Sequence, residues 1–310
     1  MLMIIIQILC YGAILIFFVA SLSRIIKVAK MPVHLRWELY PVPHERGKAH
    51  YGGSKLEENE WWKKEHKKDN INEIKEMGFE ILFLKAVWEF NRSLWVGTYP
   101  FHFALYMMIT NMVLLFIGGV FVLSGVPVMP ESSGLALILY YLIYYIALVA
   151  SILGVFGAIR LLFSRIVDYN LRKFSSVSHY FNILLIGAIY LTVLLWLISG
   201  NDFVGTMTAF YASMISFSAL PSIPTIGIWH LIITAIFILY MPFTHMSHMY
   251  MKYFLYHLVR WEDEENKSGT TLSEKLGKQL AYPVSWSAAH VGSDGTKTWG
   301  EVVTNIPEKM

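Results

Sequence analysis

A single cysteine, Cys10, stands in a chain of 310 residues. That scarcity excludes an internal disulfide framework, a Cys-rich zinc site and any iron–sulfur cluster ligated by this chain alone. Iron–sulfur chemistry around this protein would belong to a partner. Charge is scarce too. Asp, Glu, Lys and Arg make up 15% of the residues, against roughly a quarter in ordinary soluble proteins. The net charge of +3 is small and thinly spread, which argues against a nucleic-acid partner. Apolar side chains take the vacated share: 55% of the residues are hydrophobic and the mean hydropathy is +0.49.

A bilayer core about 30 Å thick requires roughly 20 apolar residues in a helix. Five uncharged runs of that size occur, at about residues 3–23, 98–123, 135–159, 180–199 and 226–250. The first has no Lys or Arg before it and no small-residue cleavage pattern after it, which fits a retained span better than a secretory signal. The expected fold is therefore an all-α membrane protein with five transmembrane helices.

Basic residues orient it. The segments 24–97, 160–178 and 252–310 hold 14, 4 and 7 Lys and Arg, the full complement of 25, while the N-terminus and the segments 124–134 and 200–227 hold none. Under the positive-inside rule this places the N-terminus outside and the C-terminus inside. The expected organisation is a first span (1–30), a cytoplasmic segment (31–96), a four-helix membrane core (97–252) and a cytoplasmic tail (253–310). In the cytoplasmic segment, Phe79, Leu82, Phe83, Ala86, Val87 and Phe90 recur at helical spacing. They predict one amphipathic helix in the inner interface, with Trp88 and Trp95 at headgroup level. The tail is polar and turn-rich, and is expected to lie on a partner because it cannot bury much surface alone.

Depth sorts the 11 histidines. His34, His44, His50, His66, His257 and His290 fall in inner polar segments, where surface hydrogen bonding is the expectation. His102, His230, His245 and His248 fall within or at the ends of apolar spans, with His179 at the inner edge of the fourth. Polar groups at such depth are expensive, and each is a functional hypothesis. His230 and His248 are 18 residues apart, five turns of a continuous helix, so both would project from one face about 27 Å apart. One metal cannot bridge that distance, but two stacked haems would suit it, since neutral imidazoles are good ligands for low-spin haem iron. His102, near the inner end of the second span, matches His248 in depth, which predicts an inner bis-histidine haem. At the outer level His230 has no second histidine. Met112, ten residues beyond His102, is a candidate sixth ligand through its thioether, and a five-coordinate outer haem is the alternative. The plain counter-reading is that these imidazoles hydrogen-bond carbonyls or neighbouring spans, and that Met112 is ordinary core filling.

His245, three residues before His248, is expected to contact a propionate or a lipid headgroup, with replacement of His248 as ligand the alternative, and Pro242 should kink the span just before both. His179 with Arg160, Arg165, Arg172 and Lys173 is expected at the inner surface, pairing with propionates or headgroups. Gly97, Gly118, Gly119, Gly154, Gly157 and Gly187 could admit a flat macrocycle or simply let helices pack closely.

The segments FHFALYMMITNM (101–112) and WHLIITAIFILYMPFTHMSHMY (229–250) resemble the gamma subunit of respiratory nitrate reductase, a five-span dihaem cytochrome b. HLRWELYPVPHE (34–45), YGGSKLEENEWW (51–62) and WSAAHVGSDGTKTWGEV (286–302) are similar to a branch found in membrane redox complexes of sulfate reducers and in heterodisulfide reductases. The resemblance implies two b-type haems, ligated by His102 and His248 on the inside and by His230 on the outside. Met112 stands where the family pattern has a second histidine. It further implies an outer site for menaquinone or a similar quinone. The implied partners are a cytoplasmic iron–sulfur subunit resembling the heterodisulfide reductase catalytic subunit, a periplasmic cytochrome and other membrane subunits, all in the plasma membrane of a prokaryote. Glu131, Tyr140, Tyr141, Asp202, Phe203 and Tyr211 lie near the outer level, where a quinone would bind. Two other functions compete with electron transfer: a membrane anchor without cofactor, and a transporter. A transporter would normally place charged residues or broken helices near the midplane, and no Asp, Glu, Lys or Arg lies there.

Overall fold

The structure is a computed structural model that describes residues 1–30, 58–60, 63–65, 67, 69–253 and 266–305. Five helices are long and apolar enough to cross a membrane: α1 (Leu2–Ala29), α4 (Arg92–Leu123), α5 (Gly134–Val167), α7 (Val177–Ile198), and the segment Thr225–Phe243 that begins with α9 (Thr225–Tyr240). They match the five apolar runs of the sequence, because an apolar segment in lipid can satisfy its backbone only as a helix. The chain divides into two compact units, one of Met1–Val19 with Met77–Thr244 and one of Ala20–Glu76 with His245–Met310.

In the first unit α4 packs on α5, α5 on the short α6 (Tyr169–Lys173) and on α7, and α7 on α9. Glycines make these contacts close. A Cβ on Gly154 would stand 2.3 Å from the Tyr190 ring, and one on Gly157 would stand 2.7 Å from the Phe101 backbone nitrogen. The Tyr190 hydroxyl then donates to the Phe101 carbonyl at 3.0 Å, tying α7 to α4 across α5. Gly97 faces Arg160 and Leu161, and Gly187 faces Ala158. Of the two roles open to these glycines, helix packing is the one they fill here.

One element was not expected from the sequence. The segment after α7 carries a 14-residue apolar helix, α8 (Phe203–Ser216). Asp202 caps its N-terminus by accepting the Gly205 amide at 2.9 Å, and Phe217 closes it in the left-handed region at φ 56. It packs on α4 at Gly118 and Gly119, where Thr208, Tyr211 and Ala212 leave no space for a side chain. The α1 helix joins the same cluster through Ile6, Cys10 and Ala13. Gln7 donates to the Ser218 carbonyl at 2.7 Å and Tyr11 to the Met214 carbonyl at 2.7 Å, while the Tyr11 ring stacks on Phe217.

Two expectations are corrected. The amphipathic helix is broken into α2 (Asn70–Leu82) and α3 (Lys85–Phe90), with Leu84 at φ 52 between them. The carbonyls at the end of α2 explain the break. Ile81 accepts the Tyr106 hydroxyl at 2.7 Å and Phe83 accepts the Trp95 indole at 2.9 Å, so aromatic donors of α4 supply what the next helical turn would otherwise supply. The fifth span is not one helix through residue 250. α9 ends at Tyr240 and gives way to 3₁₀ turns at Met241–Phe243 and His245–Ser247, before α10 (His248–Lys252). Pro242 has no amide hydrogen for the helical ladder. A common helical face and a fixed axial separation for His230 and His248 therefore do not follow.

In the second unit, Ser21 bonds the Tyr250 hydroxyl at 3.2 Å. The C-terminal segment has more local order than its composition suggested. It forms α11 (Thr271–Leu280), a hairpin of β1 (Ser287–Ala288) with β2 (Ser293–Asp294), and α12 (Trp299–Thr304). Thr298 and Glu301 cap α12 reciprocally, and Trp286 meets Trp299 edge to face. Residues 31–57, 61 and 62, which include most of the segments 34–45 and 51–62, lie outside the described residues.

Gly157→Leu is expected to cost about 1–3 kcal/mol or more, because the added side chain would be driven into the α4 backbone; thermal unfolding in detergent measures it. Hydrogen bonds from the Lys297 and Thr296 amides and the Thr296 hydroxyl hold the Asp294 carboxyl well below its ordinary value. A depressed carboxylate stabilises its turn above the unfolded-state value of about 3.9 and loses that contribution as pH falls toward the folded-state value. Protection factors of the Thr296 and Lys297 amides, which correct for intrinsic exchange at each pH, should therefore fall only in acid below about pH 4, and Asp294→Asn should remove that dependence.

Candidate functional site

Imidazole chemistry depends on which ring nitrogen carries the proton, because only the other has a lone pair for a metal. His102 on α4 has Nδ1 2.8 Å from the Thr98 carbonyl oxygen, and His248 at the start of α10 has Nδ1 2.8 Å from the His245 carbonyl oxygen. A carbonyl can only accept, so both rings are protonated at Nδ1, and in the neutral form of such a ring the lone pair is on Nε2.

His230 has a different partner. Its Nδ1 lies 3.0 Å from the Thr192 Oγ1 on α7. The Thr192 hydroxyl is 2.9 Å from the carbonyls of both Ala188 and Ile189. With those acceptors on its own helix for its one proton, the hydroxyl offers a lone pair to the Nδ1–H tautomer of His230. His230 is 7% exposed and Thr192 8%. The Trp196 indole, one turn beyond Thr192, meets the imidazole edge to face at 6.2 Å and rests on Gly227 one turn before His230. Three residues of α7 and α9 thus hold one buried ring.

His179 is the contrast. Its Nδ1 accepts the Ser176 amide at 3.0 Å, so its proton sits on Nε2 and no neutral lone pair remains there. It serves the N-terminus of α7 and is not a ligand in this form.

Of the remaining candidates, Met112 is 44% exposed on α4, in line with exposed Val113 and Phe116, while His230 is enclosed against α7. His102 and His230 belong to the first unit, and His248 and His245 to the second. Arg160 bonds Ser93 on α4 and Ser164 on its own helix, so helix packing occupies it. Arg165 differs: its Nε and Nη1 are buried with no hydrogen-bond partner among the described residues. Arg172 donates to the Ile166 carbonyl. Of the residues expected near a quinone, Asp202 is committed to capping α8 and Phe203 packs edge to face on Trp196. Tyr140 and Tyr141 stack on Tyr144 and Tyr145 along α5. The Asn111 Oδ1, the Trp196 Nε1 and the Thr234 Oγ1 are also buried with no partner among the described residues. His34, His44, His50, His66 and His257 lie outside the described residues.

Hydropathy and spacing could find the histidines but not Thr192, which is one hydroxyl in an apolar span with no periodic signal. No cluster of three or more His, Cys, Asp or Glu side chains suited to a metal ion occurs among the described residues; haem iron takes at most two axial ligands from the protein. Models of known protein families and curated proteins give no match to this chain.

Nitrogen-15 NMR of histidine-labelled protein should find His102, His230 and His248 as Nδ1–H tautomers and His179 as Nε2–H. The opposite assignment at His230 would remove the geometric basis for metal ligation there.

Proposed function

We propose that this chain is the membrane cytochrome b subunit of a respiratory redox complex, passing electrons between a quinone pool on the outer side and a cytoplasmic iron–sulfur subunit through haem b. The observation that carries the reading is His230: a buried imidazole in an apolar helix core, whose Nδ1 meets the Thr192 hydroxyl at 3.0 Å, so that ligation through Nε2 would place the ring proton on Nδ1 with Thr192 as its acceptor. His102 and His248 carry the lone pair on the same nitrogen, so the donor set fits haem. Bound haem would supply one-electron relay between iron(II) and iron(III).

The chain's own residues supply the rest. His230 would provide a neutral nitrogen that adds no charge to a low-dielectric core, while His102 is partly buried and His248 is exposed beyond the end of the span. The exposure of Met112 favours the five-coordinate alternative for the iron at His230. Arg165, with two buried donors lacking an acceptor, suits an anionic oxygen such as a propionate or a lipid phosphate. The skewed Lys and Arg distribution supports an N-terminus outside and a C-terminus inside, in the plasma membrane of a prokaryote. Menaquinone or a similar quinone is the proposed carrier, and the iron–sulfur partner is proposed to dock from the cytoplasm together with the other subunits of the complex.

One observation favours a second reading. The glycines that could have opened space for a macrocycle are filled by Tyr190, Phe101 and Ala158, as expected of a cofactor-free anchor. A reduced-minus-oxidised absorbance spectrum of the purified protein separates the two. The cytochrome reading expects a b-type α-band, partly lost in His102→Ala and in His248→Ala, with a different part lost in His230→Ala. A wild-type protein without that band would leave the anchor reading or a transporter.

A further inference from the structure

His230 differs from the other candidate ligands in what holds it. His102 bonds the carbonyl four residues earlier in its own helix, and His248 a carbonyl three residues earlier. His230 instead bonds a side chain of a different helix, Thr192 on α7. We propose that Thr192 is the positioning residue of His230, fixing its tautomer and ring orientation and setting the electron donation of its Nε2 to a bound iron. The proposal rests on the haem reading above and adds to it the residue that tunes one of the two irons.

The hydrogen-bond inventory supports it. Thr192 has one proton and gives it to the Ala188 and Ile189 carbonyls, each at 2.9 Å. That donation polarises the oxygen, and cooperative polarisation strengthens its acceptance of the His230 Nδ1–H. Accepting that proton makes the imidazole a better donor at Nε2. Both partners are buried, so water cannot substitute for the hydroxyl, and turning the ring would leave the Nδ1–H unsatisfied. Trp196 and Gly227 close the same corner of α7 and α9, which keeps the two groups in register. A hydroxyl at position 192 is thus the one part of this anchor that a side-chain replacement can remove.

The test is redox titration of the purified full-length protein, with each haem followed by absorbance and electron paramagnetic resonance. Thr192→Val keeps the shape of the side chain and removes the acceptor. The weaker imidazole donor stabilises iron(III) less, so the midpoint potential of the haem lost in His230→Ala should rise while the other haem stays where it is. Thr192→Ser should restore the wild-type potential, which a packing defect would not do. The unchanged second haem reports that the variant is folded. Loss of the His230 haem in Thr192→Val, with recovery in Thr192→Ser, would also support the proposal. Unchanged potentials and resonance spectra for both haems in Thr192→Val would overturn it while leaving the cytochrome reading intact. A wild-type protein without haem would overturn the reading itself.

Discussion

Inside a membrane core there is no water to accept or donate a hydrogen bond, so each polar group must find its partner within the protein. Ser151, Thr192 and Thr208 meet that demand by donating to carbonyls of their own helices. The Tyr190 hydroxyl reaches the α4 backbone, and the Trp95 indole and Tyr106 hydroxyl finish the end of α2. The same demand turns histidine into a directional group. Once a carbonyl or a committed hydroxyl has taken the proton on Nδ1, the chemistry of Nε2 is decided. Helix ends, interhelical ties and imidazole tautomers are in this sense results of one constraint.

That constraint also separates side chains of similar composition. Arg160 and Arg165 lie five residues apart on α5, yet one bonds Ser93 and Ser164 while the other has buried donors without acceptors. His179 and His230 both sit on spans, but one accepts a backbone amide of its own helix end and the other meets a hydroxyl of a different helix. Position in a hydropathy profile does not distinguish these cases. Local hydrogen bonding does.

The spans were legible in the sequence because their signal is an average over some 20 residues, and no single side chain can obscure it. The α8 helix was not, since its 14 residues fall below that length and its stability comes from Gly118 and Gly119 on a distant helix. The interfacial helix was legible by periodicity, but its break at Leu84 depends on Trp95 and Tyr106, which belong to another element. Pro242 marked a disturbance in the fifth span; what it could not indicate was that 3₁₀ turns would replace the helix on both sides of Thr244. Of the site, the histidines stood out by their depth. Their tautomers and the role of Thr192 needed coordinates, because a partner 38 residues away leaves no trace in spacing.

The early end of α9 has a mechanical consequence. Its 16 helical residues and the three that follow in a 3₁₀ turn extend about 30 Å, just the hydrocarbon depth of an average bilayer. α4 and α5, with 32 and 34 residues, are longer by about 20 Å and can lean or protrude as lipid length changes. The span that carries His230 has no such slack, so among these helices it is the strut that fixes which lipid thickness the protein fits, and mismatch strain falls there first.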